Sequence, residues 1–131
     1  MVSGAAGQPQ REGVGRGRLS VEVRADADAV VLVLAGELDH DTADPLREAL
    51  AEAVEAGAGR IVVDCTELRF CDSTGLNVLL RARLAASEAG GRLELAALRP
   101  PVARMFDITG AHAVFRVYAS LDEALADQRP K

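Results

Sequence analysis

The run Ala29-Val-Val-Leu-Val-Leu-Ala35 constrains this chain more than any other stretch. An extended strand sends successive side chains to opposite faces, so a run that is apolar at every position needs cover on both sides and belongs inside a sheet. A second strand signal, Arg60-Ile-Val-Val-Asp-Cys65, follows it. Between the two, Leu46, Ala49, Leu50, Ala53 and Val54 recur at helical spacing while Arg47, Glu48, Glu52 and Glu55 fall on the other side. Strand, helix and strand in that order predict a right-handed βαβ unit with parallel strands. Both strands then end on one edge of the sheet, which brings the loop carrying Asp39 near the loop carrying Asp72. Sites in open α/β sheets form just beyond such carboxyl ends.

The remaining signals extend this unit. Residues 19–24 alternate apolar and polar, predicting a half-buried strand that pairs with the central run through Ala25-Asp-Ala-Asp28 as an antiparallel hairpin. Gly36-Glu-Leu-Asp-His-Asp-Thr42 ends the central strand, a residue between Asp41 and Asp44 caps the helix, Pro45 suits its first turn, and Gly57 and Gly59 stop it. Leu76, Leu79, Leu80 and Leu84 form the expected buried stripe of a second helix ending at Gly90-Gly91, with Asn77, Arg81 and Glu88 exposed. A strand follows over 92–97. Pro100 and Pro101 then open a short helix with Val102, Met105 and Phe106 inward and Gly110 at its close. A last strand is expected over 113–119, and Ser120-Leu-Asp-Glu123 reads as a capping box for a final helix docked by Leu121, Ala124 and Leu125. The predicted fold is a single α/β domain, a mixed, mostly parallel sheet of about five strands with about four helices packed against it.

Composition narrows function. Hydrophobic residues make up 49% of the 131 residues and aromatics 3%, so the core must be aliphatic. A net charge of −5 argues against nucleic acid as a partner, which would call for a basic stripe. Residues 1–18 are Gly-rich and polar and read as a flexible tail, leaving 19–127 as the domain. No apolar run is long enough for a signal peptide or a membrane helix, and the expected location is cytoplasmic, away from the membrane. Cys65 and Cys71 lack the repeated Cys/His spacing of a zinc site. They read as structural thiols, with a redox role for Cys71 as the alternative.

The chemistry-bearing stretch is Phe70-Cys-Asp-Ser-Thr-Gly-Leu76. A carboxylate and two hydroxyls where a helix begins can satisfy N–H groups that have no intrahelical partner. The same helix start favours a phosphate on a hydroxyl placed there. No phosphate-cradling glycine loop follows a strand, and the Gly13-Val-Gly15-Arg-Gly17 run sits in the tail as linker. His40 and His112 lie in separate units, so a nucleophilic triad on Ser73 or Cys71 has no base in place. Asp39 and Asp72 could share a proton or a metal, but loop carboxylates are more often solvated or capping. No cofactor, metal or catalytic residue is expected.

Three motifs in register, Gly36-Glu-Leu-Asp-His40, Phe70-Cys-Asp-Ser-Thr-Gly-Leu76 and Pro101-Val-Ala-Arg-Met-Phe-Asp-Ile-Thr-Gly110, resemble those of the anti-sigma factor antagonists, bacterial proteins of the STAS domain family. The resemblance implies a partner-switching regulator of transcription and not an enzyme. It implies that Ser73, directly after the motif aspartate, is the phosphorylated residue. It further implies an ATP-using anti-sigma factor serine kinase as partner, a PP2C-type phosphatase that reverses the modification, and release of a sigma factor by the unphosphorylated protein. The partner-binding surface it implies comprises Asp39, His40, Asp72, Ser73, Thr74, Gly75 and Asn77. Cys71 stands where a larger residue such as Met is usual and Asn77 where Gly is frequent. The alternative is a STAS scaffold or a regulatory module binding a small ligand such as a nucleotide.

Overall fold

The strand signals assemble into one five-stranded sheet of order β1-β2-β3-β4-β5, seen in a computed structural model that describes residues 18–26 and 28–127. The elements are β1 (Leu19–Asp26), β2 (Ala29–Leu38), α1 (Ala43–Glu55), β3 (Arg60–Cys71), α2 (Ser73–Glu88), β4 (Arg92–Ala96), α3 (Pro100–Thr109), β5 (Val117–Tyr118) and α4 (Leu121–Ala126). β1 is antiparallel to β2, and each later neighbour pair is parallel. The tail expected over 1–18 lies outside the described residues apart from Arg18.

Strand alternation divides the core. Ile61, Val63 and Cys65 of β3 and Leu32 and Leu34 of β2 face the main cluster, which α1, α2 and α3 cover with Leu46, Leu50, Leu79, Val102 and Phe106. Val62, Val31, Ala29 and Ala96 point the other way and are covered by Ala124, Leu121 and Leu125 of α4. This two-sided burial is why residues 29–35 of β2 are apolar at every position. With few aromatics available, a ring pair joins Phe106 to Phe115, centroids 5.7 Å apart.

Four expectations need correction. β3 runs six residues past Cys65 to Cys71, across two register shifts against β2. The Asp64 carboxylate accepts from the Thr66 N–H and hydroxyl at 3.0 and 2.6 Å, which shapes the first irregularity and breaks the alternation that a strand signal needs. β2 likewise continues to Leu38, so Gly36 lies within it. Gly36 has φ +114°, and a Cβ there would strike the Arg18 carbonyl. The strand expected over 113–119 shrinks to Val117–Tyr118, because Ala111–Ala113 forms a 3-10 turn and Phe115 turns inward onto Phe106. Leu84 is 56% exposed, since α2 packs beside α1 as well as on the sheet and its buried arc rotates toward Val78 and Ala86.

Candidate functional site

The carboxyl ends of β2 and β3 meet at Leu38 and Cys71, which pair in register. Immediately beyond, Asp72 caps α2: its Oδ1 accepts the Gly75 N–H at 2.9 Å. Its Oδ2 accepts the His40 N–H at 3.2 Å, and the Asp72 N–H donates to the Leu38 carbonyl at 3.1 Å. One carboxylate therefore ties the start of α2 to the loop after β2. Asp39 and Asp72 do meet at one edge, and each has a structural task.

Asp39 organises its own loop. Its Oδ1 accepts from the Asp41 N–H at 2.9 Å and the Thr42 N–H at 3.1 Å. Thr42 closes the turn by donating to the Glu37 carbonyl at 2.8 Å and accepting the Asp39 N–H at 2.9 Å. Thr42 is the site residue that sequence reasoning missed, although Asp-x-x-Thr ahead of a helix is a recognisable side-chain-to-backbone turn pattern. Among the described residues no cluster of three or more His, Cys, Asp or Glu could hold a metal ion.

Ser73 is the first residue of α2 and is exposed, and its hydroxyl makes no hydrogen bond among the described residues. Thr74 is half-buried, while Asn77 is exposed one turn on, on the same face as Ser73. His40 is exposed and joins the arrangement through its backbone. Gly75 is buried, so its part is steric: a Cβ would sit 2.5 Å from Leu38 Cγ and 3.2 Å from Cys71 Sγ. Gly75→Val is expected to destabilise by about 1–3 kcal/mol, read from the urea midpoint, because Leu38 is fully buried and has nowhere to move.

Cys71 lies beneath this turn, 5% exposed. Burial, with the Asp72 carboxylate second, pushes its thiol up to about 12. Burial likewise raises Cys65, with smaller contributions from Cys71 and Asp64. Neither is a ready thiolate, which disfavours redox chemistry at Cys71. The raised thiols hold more protons folded than unfolded. Their contribution to stability is thus complete below the ordinary thiol range and is lost as pH rises from about 9 toward 12. Urea melts over that interval should show falling midpoints, with a shallower fall in Cys71→Ala.

A cap shared between two loops, beside an exposed serine at the carboxyl edge of parallel strands, is built from the motifs at 36–40 and 70–76. The family model described as "Mlab, STAS domain" matches residues 21–122. The chain belongs to the STAS domain family. A curated relative, the anti-sigma F factor antagonist of Paenibacillus polymyxa, is 31% identical over 110 residues, covering 83% of this chain and 94% of that protein. Among solved structures, an anti-sigma factor antagonist from Mycobacterium paratuberculosis superposes with a TM-score of 0.77 at 27% identity, covering 83% of this chain and 92% of the other. The Bacillus cell fate determinant SpoIIAA in its phosphorylated form gives a TM-score of 0.68 at 26% identity, covering 84% and 100%. The β2, β3 and α2 geometry is thus that of a STAS domain. No helix among the described residues is long and apolar enough to cross a membrane.

Proposed function

We propose that this STAS domain is an anti-sigma factor antagonist acting in the cytoplasm, and that phosphorylation of Ser73 switches its partner binding off. The observation that carries the reading is the exposed Ser73 hydroxyl at the first turn of α2, with the Asp39–His40 loop fastened beside it by Asp72. Together with Thr74 and Asn77 these residues form the docking surface for an ATP-using anti-sigma factor kinase, and a PP2C-type phosphatase resets the switch. A relative solved in a phosphorylated form supports the mode of control.

The physics of the switch is local. A phosphate adds about −1.5 to −2 charges beside Asp72, so a partner fitted to a neutral hydroxyl meets repulsion and a desolvation cost. The helix start stabilises the added charge by roughly 0.3–1 kcal/mol, so the fold tolerates it. The reading is tested by adding the unphosphorylated protein to a preformed complex of the cognate anti-sigma and sigma factors and following the free sigma factor on a native gel. Dose-dependent release is expected. Retention of all sigma factor at excess protein would defeat the reading.

A further inference from the structure

At the far end of α2 from Ser73, near the amino end of β4, lies a cavity of about 360 Å3 lined by Arg83, Ser87, Arg92, Arg116 and Tyr118, with Leu93 and Val114 as apolar wall. It is distinct from the switch surface. α2 rises about 1.5 Å per residue, which places Arg83 roughly 15 Å and Ser87 roughly 21 Å along the helix from Ser73. The cavity opens because β5 pairs with β4 only at Val117 and Tyr118, leaving the first part of β4 without a strand neighbour on that side.

The charges around it do not cancel. Glu94 lies between Arg60 (2.8 Å) and Arg92 (3.0 Å), and Asp127 accepts from the Tyr118 hydroxyl (2.7 Å) and Arg116 (3.4 Å). Among the described residues that line the cavity, Arg83, Arg92 and Arg116 stand against Glu94 and Asp127, one positive charge in excess in a chain whose total is −5. Arg83 has no ion pair among the described residues. The two carboxylates act as braces, fixing the guanidiniums of Arg92 and Arg116 at the cavity wall, while Ser87 and Tyr118 add hydroxyls. The carbonyl end of α2 opposes the positive field over its last turn only.

We propose that this cavity is a second ligand site, selective for a phosphate or polyphosphate group on a small molecule. Planar guanidiniums on more than one wall match the oxygens of a phosphoryl group and reach several of them at once. The volume lies in the range of small-molecule sites, and Leu93 and Val114 give a modest apolar surface for the remainder of the ligand.

Inorganic pyrophosphate is the probe, titrated into the full chain while backbone amides are followed by NMR. Saturable shifts are expected at Gly91, Arg92, Leu93 and Val114. Arg83→Gln should weaken binding by about tenfold or more with its amide spectrum otherwise retained, because that side chain braces no buried partner. Arg47→Gln, on the exposed side of α1, should bind as the parent does. Shifts that never saturate, that centre on residues 73–77, or that are equal in Arg83→Gln and the parent would overturn the proposal.

Discussion

Ser73→Asp is expected to weaken binding to the cognate anti-sigma factor by at least about a hundredfold, a loss of roughly 3 kcal/mol. The cause is placement. Ser73 is exposed at the first turn of α2, beside the Asp72 carboxylate that already occupies the cap. In the proposed complex a permanent negative charge there would face a partner surface fitted to a neutral hydroxyl, and like charges brought together at an interface cost several kcal/mol. Ser73→Ala should bind within a few-fold of the parent, because no internal hydrogen bond is lost. The fold itself should be indifferent, or slightly favoured in Ser73→Asp, since an acidic residue suits a helix start by roughly 0.3–1 kcal/mol. Calorimetric titration and a parallel urea melt separate the two effects. Equal affinities for Ser73→Asp and the parent would show that the hydroxyl lies outside the interface.

The second large effect is on stability and concerns Glu94. Its side chain is 6% exposed and holds Arg60, itself 7% exposed, at 2.8 Å. Arg60 also donates to the Ala124 carbonyl at 2.6 Å, so this ion pair fastens α4 over the second face of the sheet. Glu94→Ala should destabilise by about 3–5 kcal/mol, because it strands a buried guanidinium. Arg92, whose side chain is 23% exposed, can turn to water and adds less. Arg60→Met combined with Glu94→Leu should recover most of the loss, since apolar pairs of similar volume often replace a buried ion pair without penalty. Urea melts of the single and double variants decide the matter. A loss below about 1 kcal/mol in Glu94→Ala would mean that the pair behaves as a solvated one.

The parts legible in the sequence were those encoded by local periodicity. The both-faces-apolar run of β2, the helical spacing of α1 and the Asp-Ser-Thr-Gly start of α2 led to the βαβ unit and to the edge where Asp39 and Asp72 meet. What escaped depends on contacts distant in the chain or on broken periodicity. Arg60 and Glu94 stand 34 residues apart at polar-looking strand starts, and nothing local marks them as a buried pair. The extension of β3 hides behind the Asp64–Thr66 turn. The shortened β5 follows from Phe115 choosing the core over the sheet, a choice that only Phe106 explains. At the site, the capping role of Asp72 could be read from its position, whereas its bond to the His40 N–H spans 32 residues and could not.

Phosphosite mapping decides whether Ser73 is the switch residue. The protein is incubated with a cognate anti-sigma factor kinase and ATP, mapped by mass spectrometry, and passed over the immobilised anti-sigma factor. A single phosphate on Ser73, none on Ser73→Ala, and loss of retention by the phosphorylated protein alone are expected. A phosphate on Thr74 or elsewhere in place of Ser73, or undiminished retention after Ser73 is phosphorylated, would contradict a switch at Ser73.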